Sequence, residues 1–83
     1  MKVQVRYFAS IREALGEGEW IEVPAGATVC EVRDQLIASS PVHAIALARG
    51  KALRCALNHA LCDESTVATA NAEIAFFPPV TGG

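Results

Sequence analysis

The chain has 83 residues, of which 52% are hydrophobic and 19% charged, with a formal net charge of −2. A chain of this size buries only about 60% of the surface it exposes when unfolded, which excludes a second core and any active site built from two lobes. Seven Lys and Arg stand against nine Asp and Glu, none of the basic residues lies beyond Arg54, and the clustered positive charge that nucleic acid requires is missing.

Within Lys2 to Phe8 polar and apolar residues alternate for six residues, which predicts a half-buried strand with Val3, Val5 and Tyr7 inward. Met1 and Lys2 lead straight into this pattern with no apolar segment of signal type, so the expected location is cytoplasmic. Ser10-Ile11-Arg12-Glu13 has the spacing of a capping box and predicts a short helix stopped at Gly16. Glu19 to Val23 alternates again and ends at Pro24 and Gly26, which predicts a second strand antiparallel to the first.

Thr28-Val29-Cys30-Glu31 is a second capping box, and Val29, Val32, Leu36 and Ile37 behind it fall on one helical face. Ser39-Ser40-Pro41 interrupts that main helix. Pro41 suits the first turn of another, with Arg49-Gly50 as its end. Leu53 to Leu57 reads as a third strand, Asn58-His59 as a turn, and the segment around Leu61 as its pairing partner. Thr66 to Ala72 is small and polar, a connection. Glu73 to Phe77 is the last strand, ended by Pro78-Pro79 because proline cannot donate to a ladder. One sheet packed on one main helix buries these faces economically, so the fold class is α+β.

Little in this chain has the pattern of a catalytic or metal centre. His43 and His59 lack partners at metal-ligand spacing, and Cys55 and Cys62 match no zinc pattern. An odd number of cysteines, Cys30, Cys55 and Cys62, points to reduced thiols rather than a disulfide framework. No bound cofactor or metal is expected, no membrane span and no glycine-rich phosphate loop.

The C-terminal end is different. Pro78-Pro79-Val80-Thr81-Gly82-Gly83 reads as an extended arm, because a double proline has few conformations and projects the residues after it away from the sheet. Six extended residues reach about 20 Å. Glycines without a Cβ let a carboxylate enter a channel too narrow for other residues, and no Lys or Arg in the tail folds it back. A carboxylate is a poor electrophile until activated. Condensation with ATP gives an acyl-adenylate, and a sulfur nucleophile then leaves a terminal thiocarboxylate. Such a protein is a carrier, whose partners supply the catalysis.

Phe76-Phe77-Pro78-Pro79-Val80-Thr81-Gly82-Gly83 resembles the C-terminal signature of the ubiquitin-like ThiS/MoaD family, in particular the MoaD-type sulfur carriers that form the small subunit of molybdopterin synthase. The element order, Phe8-Ala9-Ser10-Ile11-Arg12-Glu13 and Leu57-Asn58 are similar too. The resemblance implies a β-grasp fold, a mixed sheet on one main helix, with a domain over residues 1–77 and a tail over 78–83. It implies that an adenylating enzyme related to ubiquitin-activating enzymes consumes ATP to adenylate Gly83, and that a sulfurtransferase system converts Gly83 to a C-terminal 1-thioglycine. Pro78, Pro79, Val80, Thr81 and Gly82 would then carry it into the large subunit of molybdopterin synthase. There it would donate sulfur to cyclic pyranopterin monophosphate, within a heterotetramer of two small and two large subunits.

The family also implies partner contacts at Phe8, Leu61 and Phe77. Strand parity points the same way independently for two of them, since Phe8 and Phe77 fall on otherwise polar faces. In place of the family's acidic Asp-Gly-Asp-type turn this chain has Ala70-Asn71-Ala72-Glu73, where Asn71 can adopt the positive φ of a glycine. Lys51 matches a family position as well and is given no role. A sulfur carrier for thiamine or another pathway, and a ubiquitin-like modifier of target lysines, share the activated glycine and stay open on the tail alone.

Overall fold

Period-two alternation builds the first strand, β1 (Lys2–Tyr7), which alternates between half-exposed or exposed polar residues and buried Val3, Val5 and Tyr7. The computed structural model describes residues 1–79. In chain order β1 is followed by α1 (Ala9–Leu15), β2 (Gly18–Glu22), α2 (Val29–Ser39), α3 (Pro41–Ala46), β3 (Arg54–Leu57), β4 (Ala60–Cys62) and β5 (Glu73–Phe77). They form one five-stranded mixed sheet in the order β2-β1-β5-β3-β4. The first and last strands are therefore neighbours, and they run parallel, with Val5 opposite Ile74 and Tyr7 opposite Phe76. The other pairings are antiparallel.

One face of the sheet packs under the helices. Val3, Val5, Tyr7, Ile74 and Phe76 are at most 1% exposed, and α2 sets Val29, Val32 and Leu36 against them. Burial of each such side chain contributes about 1.5–3 kcal/mol. The Thr28 capping box forms as its spacing predicts: the Thr28 hydroxyl accepts from the Glu31 N–H at 3.2 Å, and the Glu31 carboxylate accepts from the Thr28 N–H at 3.1 Å.

The Ser10 capping box does not form. The N-cap of α1 is Phe8, without a side-chain cap, and Ser10 lies inside the helix. The Phe8 carbonyl itself accepts from the N–H groups of Ile11 and Arg12, with Ala9 held at a φ of 53°. The chain turns from strand into helix through its backbone, and no hydroxyl is needed. α3 also ends earlier than Arg49-Gly50, at Ala46: Leu47 leaves helical geometry, and the chain passes into a turn in which the Ala48 carbonyl accepts from the Lys51 N–H and from Arg33.

Two turns have clear causes. Asn58 and His59 both adopt positive φ (49° and 70°), the two-residue hairpin geometry whose twist suits the flanking strands. The Asn58 side chain also accepts from the Glu73 N–H at 2.9 Å, tying this hairpin to β5. Asn71 adopts a φ of 63°, the left-handed conformation expected of it in the Ala70–Glu73 turn. Gly18 is required for a different reason: a Cβ there would collide with the Val5 carbonyl oxygen of the paired strand.

Candidate functional site

Among the described residues, the opposite face of the sheet is covered by no helix. Along it β1 presents Lys2, Gln4 and Arg6, β5 presents Glu73, Ala75 and Phe77, and β3 presents Arg54 and Ala56. Register sets Arg6 beside Ala75, Ala75 beside Ala56, and Ala56 beside Leu61 of β4. The two alanines form the floor of a shallow hollow of about 520 Å³ whose walls include Phe8, Phe77, Arg6 and His59. Leu61 stands next to Ala56 at 66% exposure, and Phe8 is 40% exposed. Phe8, Phe77 and Leu61, the residues at which the resemblance implies partner contacts, therefore share one face.

The polar groups around this hollow are mutually engaged. The Arg6 guanidinium lies 5.9 Å from the Phe8 ring centroid and 3.8 Å from the Glu73 carboxylate. Glu73 also meets His59 at 3.4 Å. These are partly solvated contacts, and each is worth no more than about 1 kcal/mol. They leave an apolar, aromatic surface with a charged rim, the usual anatomy of a docking face.

Pro78 and Pro79, the last described residues, lie where β5 leaves the sheet. They border an apolar groove beside Ile11 and Ala14 of α1, Val42 and Ile45 of α3, and Leu53. Val80, Thr81, Gly82 and Gly83, to which the sequence assigns the chemistry, lie outside the described residues.

Two polar clusters escaped sequence reasoning. Arg33 is only 3% exposed, in the middle of α2. Its guanidinium donates to the carbonyls of Leu47 (2.8 Å), Ala48 (2.6 Å) and Lys51 (3.2 Å) and to Glu64 (2.7 Å). Glu64 also accepts from Arg49 at 2.5 Å. Burial works against the Glu64 charge, but the two arginines outweigh it and hold the carboxyl below its usual range.

The second cluster is a chain of hydrogen bonds. Ser40 Oγ lies 2.6 Å from His43 Nδ1, His43 Nε2 lies 2.8 Å from Glu19, and the Tyr7 hydroxyl donates to the same Glu19 oxygen at 2.7 Å. The order Ser–His–Glu looks like a nucleophilic relay, but Ser40 is the N-cap of α3 and its oxygen accepts from the His43 N–H. The cluster fastens α3 to β1 and β2. Burial opposes ionisation of Glu19, yet the hydrogen bonds from His43 and Tyr7 lower its pKa. Burial, then the hydrogen bond to Glu19, raises that of Tyr7. A buried Arg on an apolar helix face is the one signal that local spacing carried, since Arg33 adjoins Val32 and follows Val29 by four.

All three cysteines are free thiols, with Cys55 buried and Cys30 and Cys62 half-buried. Among the described residues no group of three or more His, Cys, Asp or Glu is placed to hold a metal ion, and no helix is long and apolar enough to cross a membrane.

Comparison with known proteins bears on the family and the fold. The chain is 42% identical over 82 residues to the molybdopterin synthase sulfur carrier subunit of Escherichia coli, covering 98% of this chain and 99% of that protein. Its fold matches that of SAMP1 from Haloferax volcanii with a TM-score of 0.81 over the whole of both chains, at 24% identity. It also matches, at a TM-score of 0.68 and 30% identity over both full chains, a structure of the complex of subunits 1 and 2 of the molybdopterin-converting factor from Helicobacter pylori. The ThiS family model matches residues 5–83. This ubiquitin-like β-grasp chain, similar throughout its length to molybdopterin synthase sulfur carriers, belongs to the ThiS family.

Proposed function

We propose that this chain is the sulfur carrier of a molybdopterin synthase. Residues 1–77 serve as the docking body and residues 78–83 as the arm that delivers sulfur. The observation that carries the reading is the position of Phe77: it is the last outward residue of the strand that leads into the arm, and it shares an open apolar face with Phe8 and Leu61. The full-length likeness to a sulfur carrier subunit, with a family match that runs through Gly83, supports it.

In this reading an adenylating enzyme related to ubiquitin-activating enzymes binds the open face. The Gly83 carboxylate attacks the α-phosphorus of ATP, and pyrophosphate leaves. A persulfide of a sulfurtransferase system displaces AMP from the acyl-adenylate to give an acyl disulfide. A thiol cleaves this, releasing the thiocarboxylate and forming a disulfide with the sulfurtransferase sulfur. The same face then docks on the large subunit, and the arm from Pro78 through Gly82 carries the thiocarboxylate to cyclic pyranopterin monophosphate. The chain contributes a nucleophilic sulfur and an address, and the partners contribute the electrostatic stabilisation of the reaction. Two small and two large subunits form the working assembly.

The test is the intact mass of the protein after incubation with its adenylating partner, ATP and a sulfur source. Exchange of one oxygen for sulfur, absent when Gly83 is deleted, is the expected result. A mass that never moves, with a partner active on another carrier, overturns the reading. Gly83 found joined to lysines of many proteins would make the chain a modifier instead.

A further inference from the structure

Cys55 and Cys62 face each other across the β3–β4 hairpin in direct register, with their sulfurs 3.7 Å apart and the Cys55 thiol also directed at the Cys62 carbonyl at 3.3 Å. We propose that this pair is a dithiol site that closes reversibly to a cross-strand disulfide in exchange with low-molecular-weight disulfides. Three features favour closure. Directly opposed cross-strand residues have Cα separations within disulfide range. β4 is a three-residue edge strand paired with β3 alone, so it is freer to shift toward its neighbour than an interior strand. A surface hollow of about 490 Å³, bordered by Leu53, Arg54, Leu61, Asp63 and Glu64, opens onto the pair.

The two thiols differ in access to solvent, which sets the order of attack. Cys62 is half-buried and meets the solvent first, whereas Cys55 is buried. Burial, then the hydrogen bond with Cys62 and the nearby acidic groups, pushes the Cys55 thiol up to about 12. The Cys62 thiolate attacks one sulfur of the external disulfide, forming a mixed disulfide and expelling one thiolate. Cys55, its proton passed to solvent, then attacks the Cys62 sulfur and expels the second thiolate. Two protein thiols are oxidised, and one external disulfide is reduced to two thiols. Cys30 sits apart on α2, beside Arg49 and Asp34, and takes no part. The site stands independently of the sulfur-carrier reading, and its consequence is local: the bond locks β4, and with it Leu61, onto β3.

The experiment equilibrates reduced protein with mixtures of oxidised and reduced glutathione, quenches with acid, alkylates and digests with trypsin. No Lys or Arg follows Arg54, so both cysteines fall in one peptide that starts at Cys55. The expected result is loss of two hydrogens from that peptide with both thiols protected, while Cys30 is alkylated. Cys55→Ser should instead hold one glutathione on Cys62, and Cys62→Ser should leave Cys55 free. Either of two wild-type results overturns the proposal: Cys55 and Cys62 both alkylated under mixtures that close a control dithiol, or a persistent glutathione adduct on Cys62 that never closes.

Discussion

The two faces of this sheet are made by the same strands and behave oppositely. Phe76 and Phe77 are adjacent in β5, yet Phe76 is fully buried against Tyr7 and Cys55 in neighbouring strands, while Phe77 lies half-buried on the open side next to Arg54. The helix-covered face carries almost all of the buried apolar surface and hence the stability. The open face carries aromatic and aliphatic side chains that folding does not bury. The contrast teaches that hydrophobicity alone does not distinguish a core residue from one left on the open face; strand parity does.

The sharpest way to break this comparison is to truncate each ring in turn. Phe76→Ala should cost about 3–5 kcal/mol, enough to unfold much of the population of so small a domain. Phe77→Ala should cost under about 1 kcal/mol while weakening large-subunit binding by more than tenfold. Chemical denaturation and titration calorimetry on the two variants check both halves. Equal stability losses would abolish the distinction between faces.

Arg33→Met comes next. It removes the donor to the Leu47 carbonyl, one of two donors to each of the Ala48 and Lys51 carbonyls, and a partner of Glu64, and denaturation should report a loss of about 3 kcal/mol. Arg49→Ala, at a partly exposed guanidinium, should lose no more than about 1 kcal/mol. Gly18→Ala should lose about 1–3 kcal/mol, because the new Cβ meets the backbone of β1 and one strand must shift.

Acid should have the smallest and most gradual effect. Glu19 and Glu64 have folded pKa values below their unfolded ones. Their contribution is thus fully present above the unfolded carboxylate range and is lost as pH falls through the folded values. Thermal melts should be flat with respect to these two groups from neutral pH down to about 5 and fall below about pH 4. Glu19→Gln should flatten that acid limb; an unchanged limb would show that the Tyr7–Glu19–His43 cluster contributes nothing.

Much of this was legible in the residues. Alternation in Lys2–Tyr7, and in Glu73–Phe77 strand parity with Ile74 and Phe76 set inward, told which side chains face the helices, and the Thr28 capping box marked the start of α2 correctly. The identical motif at Ser10 misled, because what starts α1 is a backbone turn at Phe8 and Ala9 that spacing does not encode. Long-range polar contacts were invisible for a physical reason. Arg33 is buried only because the segment Leu47–Lys51 returns over α2, and Glu19 meets His43 only because α3 packs on β1 and β2. The shared face of Phe8, Leu61 and Phe77 lay between these cases: parity placed the two rings outward, and only the parallel β1–β5 pairing and the β3–β4 register brought all three together.

Delivery of the arm by the open face is tested most directly by a single-turnover assay. Thiocarboxylated wild-type protein and thiocarboxylated Phe77→Asp are each mixed with the large subunit and cyclic pyranopterin monophosphate, with thermal stability verified for both. The expected result is molybdopterin from the wild type and a variant that stays loaded with sulfur. A Phe77→Asp protein that discharges as fast as the wild type would contradict a delivery role for this face.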